Sequence, residues 1–153
     1  VILAIIVIAV VALLSQQNLL PPLFPGGNGP GQLTYNVLVQ TDKPGYTTRE
    51  FVRVSITNMN EEIMFLDSCN PFVTEMRTPT GWVEKERQRC PFEGLPFRVN
   101  KDQTLRRLAP AVGETGTFRI NALYYIGCTE NLPLIDAGCQ RQLSSASEPF
   151  VAS

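Results

Sequence analysis

Hydrophobic residues follow two different patterns along the chain, and the change between them divides the sequence. Every residue from Val1 to Leu14 is apolar (VILAIIVIAVVALL), and Leu19 and Leu20 extend this stretch after four polar residues. From Gln32 onward, apolar and polar residues alternate in short runs. An uninterrupted apolar stretch predicts a helix in apolar surroundings, whereas alternation predicts strands with one buried face.

The predicted N-terminal helix spans residues 1–20. At about 1.5 Å per residue, roughly twenty residues reach about 30 Å, which is the thickness of a bilayer core. Pro21 and Pro22 end the helix, because proline donates no backbone hydrogen bond. The side chains expected to pack this helix against its neighbours are its large apolar ones, namely Val1, Ile2, Leu3, Ile5, Ile6, Val7, Ile8, Val10, Val11, Leu13 and Leu14.

Residues 21–31 read PPLFPGGNGPG and are predicted to be a linker, because proline and glycine favour neither helix nor strand. Two interpretations remain open: a flexible spacer, or an extended hinge that sets a fixed angle. The predicted hinge residues are Pro21, Pro22, Pro25, Gly26 and Gly27.

The remainder, residues 32–153, predicts an all-β domain. Short alternating runs are separated by turns such as Asp42-Lys43-Pro44-Gly45, with no amphipathic helix between them, and this spacing favours a β-sandwich. The predicted strands are Leu33–Gln40, Phe51–Thr57, Ile63–Leu66, Phe72–Met76, Trp82–Glu84, Thr104–Leu108, Gly116–Ile126 and Pro149–Val151.

Charge is absent from the first part of the chain and balanced in the rest. The first charged residue is Asp42, and 13 Lys and Arg stand against 14 Asp and Glu, a net charge of -1. This balance gives no electrostatic reason to bind nucleic acid. The chain has no histidine, phosphate loop, calcium loop or nucleophile elbow. We therefore expect no enzyme activity, cofactor, metal or small-molecule substrate.

Four cysteines, Cys69, Cys90, Cys128 and Cys139, predict two disulfides. No pair has the CxxC spacing of a zinc site. Three pairings are possible, and the local one, Cys69–Cys90 with Cys128–Cys139, is favoured because each bond closes a loop rich in proline and glycine. A closed loop of about twenty residues gains about 3 kcal/mol. The alternative is four free thiols in a reducing compartment.

Other polar clusters have ordinary structural explanations. The run Glu84, Lys85, Glu86, Arg87 and Arg89 is typical of a solvated strand edge. Asp67, Glu75 and Glu93 could form a carboxylate site only if the fold brings them together. Ser144, Ser145 and Ser147 are candidate positions for O-linked sugars.

The apolar segment 1–20 resembles that of type IV pilins and their archaeal relatives. In that family a short basic leader is removed just before the hydrophobic segment, and here the segment is preceded by neither Met nor basic residues. A buried core helix, a secretory signal peptide and a single-pass anchor are the alternatives. Val1 and Ile5 replace the aromatic residue and the glutamate typical of bacterial pilins, which favours the archaeal type.

The domain that follows is similar to bacterial and archaeal immunoglobulin-like domains. The similarity lies in TDKPGYTTREFVRVSITNMNEEIMFLDSCNPF and in the later GTFRINALYY and SEPFVAS, with Arg49 in place of a usual glycine. The resemblances together imply a fold class of an N-terminal apolar α-helix plus an all-β immunoglobulin-like sandwich.

These observations predict a structural subunit of an extracellular, cell-surface filament of the type IV pilus kind, with a role in adhesion. Its partners would be other copies of itself in a helical homopolymer, and the membrane before assembly. The alternative is a single-pass membrane protein whose sandwich binds a protein or inhibits a protease.

Overall fold

The computed structural model describes residues 36–85, 87, 90, 91 and 94–153, which together are called the β domain. The chain separates into two units, Val1–Thr34 and Tyr35–Ser153, and all described residues belong to the second. The predicted assembly residues between Val1 and Leu14, and the predicted hinge residues between Pro21 and Gly27, therefore lie outside the described residues.

The described residues form eleven strands and no helix. The strands are β1 (Val37–Thr41), β2 (Gly45–Tyr46), β3 (Val52–Asn58), β4 (Met64–Leu66), β5 (Phe72–Thr78), β6 (Gly81–Glu84), β7 (Phe97–Val99), β8 (Thr104–Ala109), β9 (Gly116–Ile126), β10 (Arg141–Ala146) and β11 (Phe150–Ala152). Accordingly, this part of the chain offers no helical segment of the length and apolarity that a membrane crossing requires.

Alternating side chains account for the longest strands. In β3, Val52, Val54 and Ile56 are buried while Arg53 is exposed, so one face of the strand lies in the core. In β9 every second side chain from Phe118 to Ile126 is buried. Burying one such aliphatic or aromatic side chain contributes about 1.5–3 kcal/mol, and this favours the register that places them all on one face.

Two sheets enclose the core in a β-sandwich-like arrangement. The small sheet has the strand order β1-β3-β8, and the large sheet joins the other eight strands. β9 organises the large sheet: β10 and β11 pair along one side of it, and β4 and β5 along the other. The core aromatic rings include Tyr46, Phe118 and Phe150, and the Phe150 ring lies 5.1 Å from Tyr46 and 5.9 Å from Phe118 between centroids.

The chain passes from the small sheet to the large one at the turn between β1 and β2. β1 pairs antiparallel with β3, whereas β2 pairs parallel with β11. The Tyr46 hydroxyl donates to an Asp42 carboxylate oxygen, and the Lys43 ammonium lies 4.8 Å from the Tyr46 ring. Burial raises the pKa of the Tyr46 hydroxyl, and the bond to Asp42 raises it further. This turn fixes where the strand changes sheets.

β4 and β5 pair with the same edge of β9, and residues 67–71 separate the two strands. Leu66 pairs with Tyr124 and Phe72 with Ala122, so five residues of one strand stand opposite a single residue of β9. The inserted residues leave the ladder and carry Cys69. The Asp67 carboxylate accepts hydrogen bonds from the backbone amides of Cys69 and Asn70, at 2.7 and 3.3 Å, and this stabilises their turn.

The predicted fold class is wrong for this structure. The described residues are all β, without a helix, whereas the prediction joined an N-terminal α-helix to an immunoglobulin-like sandwich. The predicted helix falls on residues 1–20, outside the described part. Alternation shows which side chains face the core, but it does not determine strand neighbours. β9 is long enough to hold two successive partners on each side, and it gathers eight strands into one sheet.

Each predicted strand is present, and the predicted and observed ends within the described residues differ by at most two residues; the predicted start of the first strand, Leu33, lies outside the described residues. Three strands were not predicted: β2, β7 and β10. β2 and β7 are only two and three residues long. β10, with the sequence RQLSSA, has little hydrophobic alternation, and its pairing with β9 along six residues makes it a strand.

Candidate functional site

The outer face of the small sheet combines exposed charged and exposed apolar side chains. It carries Arg53 from β3 and Arg106 and Leu108 from β8, with Leu38 and Phe51 at its margins. Leu108 is 61% exposed and Phe51 59% exposed. We call these five residues the basic face.

Arg53 and Arg106 of the basic face, and Arg107 beside them, form no ion pair within the described residues. Of the ion pairs found there, none involves Arg53, Arg106 or Arg107. The Arg107 guanidinium lies 4.1 Å from the Phe97 ring centroid, and its Nη1 donates to the Arg106 carbonyl at 2.8 Å. The surface therefore retains positive charge that a binding partner can use.

β8 forms the open edge of the small sheet among the described strands, since β3 is its partner there. The Asn58 amide donates to the Gln103 carbonyl, and β3 pairs Val54 with Arg107. In an antiparallel ladder alternate residues direct their backbone groups to opposite sides, so Arg106 and Leu108 direct theirs away from β3. Their side chains and backbone are thus exposed at the same edge.

A cleft of about 440 Å³ opens beside this edge, between the two sheets. Apolar residues and the Cys69–Cys90 region line it together with three cations. The lining residues are Phe51, Ser68, Cys69, Asn70, Pro71, Phe72, Val73, Thr74, Lys85, Arg87, Arg107, Leu108, Pro110, Ala111 and Val112. A second, more open depression of about 650 Å³ shares Arg107 and Leu108 with this cleft. Its other lining residues are Asp42, Arg53, Val54, Ser55 and Arg106.

Two of the three cleft cations are already paired. Lys85 contacts Glu114, and Arg87 contacts Glu84 through both its Nε and its Nη2, the latter at 2.9 Å. Hydrogen bonding from Arg87 holds the pKa of the Glu84 carboxyl below its usual range. In the predicted mixed-charge run, Glu84, Lys85 and Arg87 therefore take part in surface ion pairs. Glu86 and Arg89 lie outside the described residues.

Unlike the outer face of the small sheet, the outer face of the large sheet is contacted by a loop. Residues 127–140 form a loop closed by the Cys128–Cys139 disulfide, and Glu130 in this loop pairs with Arg98 of β7 at 2.6 Å. Phe65, the cross-strand partner of Arg98, is 4% exposed although it points away from the main core. We call residues 127–140 the acidic loop, since they contain Glu130 and Asp136 and no basic residue.

A cluster around Trp82 occupies another part of the large sheet's outer face. The guanidinium of Arg119 lies 4.4 Å from the Trp82 ring centroid, and that of Arg77 lies 5.7 Å from it. Glu75 accepts hydrogen bonds from Arg119 at 2.5 Å and from Asn121 at 3.1 Å. Every charge in this cluster has a partner, so the cluster stabilises the β5–β6 hairpin and offers no open site.

The two disulfides are Cys69–Cys90 and Cys128–Cys139. Their sequence separations are 21 and 11 residues, and they are the local pairs favoured by the sequence. All four cysteines are paired, which contradicts the alternative of four free thiols.

The structure does not bring the remaining candidates together as a site. Asp67 caps its own turn, Glu75 pairs with Arg119, and Glu93 lies outside the described residues. Of the candidate serines, Ser147 is buried and Ser145 donates to the Val37 carbonyl at 2.7 Å. Only Ser144 is exposed and open to modification.

Arg106, Arg107 and Leu108 were not among the site residues predicted from the sequence. A signal was present: two adjacent arginines in a strand must point to opposite faces, so one of them points toward the core side. A sheet accommodates this at an edge, where the inward-facing charge can reach solvent.

Among known proteins, the sequence matches no protein-family model, and no curated protein is significantly similar to it. The function therefore has to be argued from the surfaces described above.

Proposed function

We propose that the chain is a structural subunit of an extracellular filament of the type IV pilus kind, which polymerises through residues 1–20 and acts in surface attachment. The observation that carries the proposal is the division of the chain. The part of the chain before the β domain contains no charged residue, whereas the β domain has a core and two disulfides of its own.

The physical argument is that the two parts need different surroundings. The stretch from Val1 to Leu14 has no polar side chain and cannot stay dispersed in water. At about 25 cal/mol per Å² of apolar surface, packing such stretches together outweighs the cost of ordering them. The disulfides of the β domain support an oxidising compartment, as expected for a protein displayed outside the cell.

The test is electron microscopy of the purified full-length chain with a charge placed in the middle of the apolar stretch. Ile8→Asp should abolish fibres, because a buried, unpaired carboxylate costs several kcal/mol in each subunit. Asn28→Asp adds the same charge in the predicted linker, outside residues 1–20, and should leave fibres intact. Normal fibres from Ile8→Asp would show that this segment does not form the filament core.

A second function has support from the cleft beside β8, whose apolar lining and cationic rim fit the alternative of a membrane-anchored binding or inhibitor domain. Under this alternative the wild-type chain should remain as dispersed monomers in detergent and form no fibres at any concentration. Removing residues 1–20 should give a water-soluble, folded β domain under both hypotheses, so fibre formation by the full-length chain is the observation that separates them.

A further inference from the structure

Two exposed surfaces of the β domain carry opposite charges, and each also carries a highly exposed apolar side chain. The basic face presents Leu108, which is 61% exposed, beside Arg106. The acidic loop presents Ile135, which is 76% exposed, beside Asp136. Like Arg106, Asp136 has no ion-pair partner among the described residues. On each surface a highly exposed apolar side chain lies beside a charged residue that forms no ion pair in the described part of the chain, and the two charges are opposite.

These surfaces cannot meet within one molecule. The basic face is the outer side of the β1-β3-β8 sheet. The acidic loop contacts the outer side of the other sheet, through the ion pair of Glu130 with Arg98. The hydrophobic core lies between the sheets. Only a second copy of the chain can bring an acidic loop to a basic face.

We propose that β domains of neighbouring copies contact head to tail, with the acidic loop of one copy on the basic face of the next. Ile135 packs against Leu108, and Asp136 pairs with Arg106. Because the contact joins two different surfaces, it leaves one of each free at the ends and can continue indefinitely. The proposal deepens the proposed filament function, in which such contacts would join the domains outside the core.

Several features favour another copy as the occupant of the basic face. The arginines there have no acidic partner in the described part of the chain, and the loop of a second copy supplies Asp136 without adding a positive charge. Leu108 and Ile135 are also among the most exposed large apolar side chains described. The disulfide and the Glu130–Arg98 pair hold the loop to its own domain, so little conformational freedom is lost when it docks.

The experiment uses cysteine pairing between full-length chains that keep their native disulfides. One preparation carries Leu108→Cys and another carries Ile135→Cys. Each is oxidised mildly by itself, and so is a mixture of the two. The samples are filaments or, if no filaments form, protein in detergent. We expect disulfide-linked dimers in the mixture and none in either preparation alone. A chain with both substitutions should give a ladder of dimers, trimers and longer products on a non-reducing gel.

The matched control is Met59→Cys, whose side chain is 53% exposed and lies outside both surfaces. Mixed with Ile135→Cys it should give no dimer. A mixture of Leu108→Cys and Ile135→Cys that gives no more dimer than this control overturns the proposal. Dimers from Leu108→Cys alone also overturn it, since they would mean a symmetric contact between two basic faces.

Charge exchange provides the second measurement. Arg106→Glu and Asp136→Arg should each remove the cross-linked dimer, and combining the two should restore it, because the pair is then reversed and still opposite in sign. Failure of the double substitution to restore the dimer contradicts the Arg106–Asp136 pair. Fibres without cross-links would refute the contact but leave the filament function, whereas cross-linked ladders without fibres would support the contact and refute the filament function.

Discussion

The outer faces of the two sheets have similar side chains but different surroundings. Phe65 on the large sheet and Leu108 on the small sheet both point away from the main core, yet Phe65 is 4% exposed and Leu108 is 61% exposed. Phe65 pairs across the strands with Arg98, which the acidic loop contacts through Glu130, whereas Leu108 lies on the open edge strand β8. A covered face contributes to stability, whereas an uncovered one remains available for binding.

Truncating one side chain on each face should give the largest contrast. Phe65→Ala should lower the free energy of unfolding by about 4 kcal/mol, because it leaves a cavity at a buried position. Leu108→Ala, the matched control, should change it by less than about 0.5 kcal/mol. Denaturant unfolding of the full chain, followed by the fluorescence of Trp82, the single tryptophan, measures both. Equal losses would contradict the assignment of the two faces.

Opening the covering loop is the next largest test. Replacing Cys128 and Cys139 together by serine should cost about 3 kcal/mol, because the unfolded chain regains the entropy of an open loop. Hydrogen exchange should also increase at Phe65 and Arg98 beneath the loop, and remain unchanged in β3 and β8. Faster exchange in the small sheet would mean that the loop supports both sheets.

The paired charges around Trp82 should have an intermediate effect. Glu75→Gln keeps the shape of the side chain but removes its charge, and it should cost about 2 kcal/mol, because Arg119 remains half-buried beside the ring. Arg98→Gln breaks a more exposed pair with Glu130 and should cost about 0.5 kcal/mol or less. Unfolding curves of the two variants compare these losses directly.

The junction between the sheets should show the smallest effect and a dependence on pH. Tyr46→Phe removes the hydrogen bond to Asp42 and should cost about 1 kcal/mol near neutral pH. The pKa of Tyr46 is raised above its ordinary value of 10.0, so the folded state keeps its proton where the unfolded state has lost it. That stabilisation is fully present below pH 10.0 and is lost as the pH rises through the raised pKa.

A pH titration of unfolding tests this sign. The wild-type chain should lose stability above pH 10.0, and Tyr46→Phe should lose less over the same range. Parallel curves for the two proteins would mean that another group controls the alkaline transition.

The sequence predicted the buried faces well, because alternation directly expresses which side chains avoid water. The strand Phe51–Thr57 was predicted from this pattern, and its alternating residues Val52, Val54 and Ile56 are buried. It also favoured the local disulfides, since short loops bring cysteines together. It did not reveal that Phe65 is covered, although the continuous run Met64–Leu66 is the pattern of a strand buried on both faces.

The sequence also could not show which strands are neighbours. The grouping around β9 depends on contacts between distant parts of the chain, such as Phe118 with Phe150 and Met64 with Ile126. The basic face was missed because its charged residues, Arg53 of β3 and Arg106 of β8, are about fifty residues apart in sequence and are brought together only by strand pairing.

The acidic loop has one more consequence, for survival among extracellular proteases. Exposed loop tips such as Leu132 and Ile135 are preferred sites of cleavage. A cut between Cys128 and Cys139 would not release a fragment, because the disulfide still joins the two new ends and Glu130 can still hold its half against Arg98. A nicked subunit would therefore keep its sequence, its mass apart from one added water, and its place beside its neighbours.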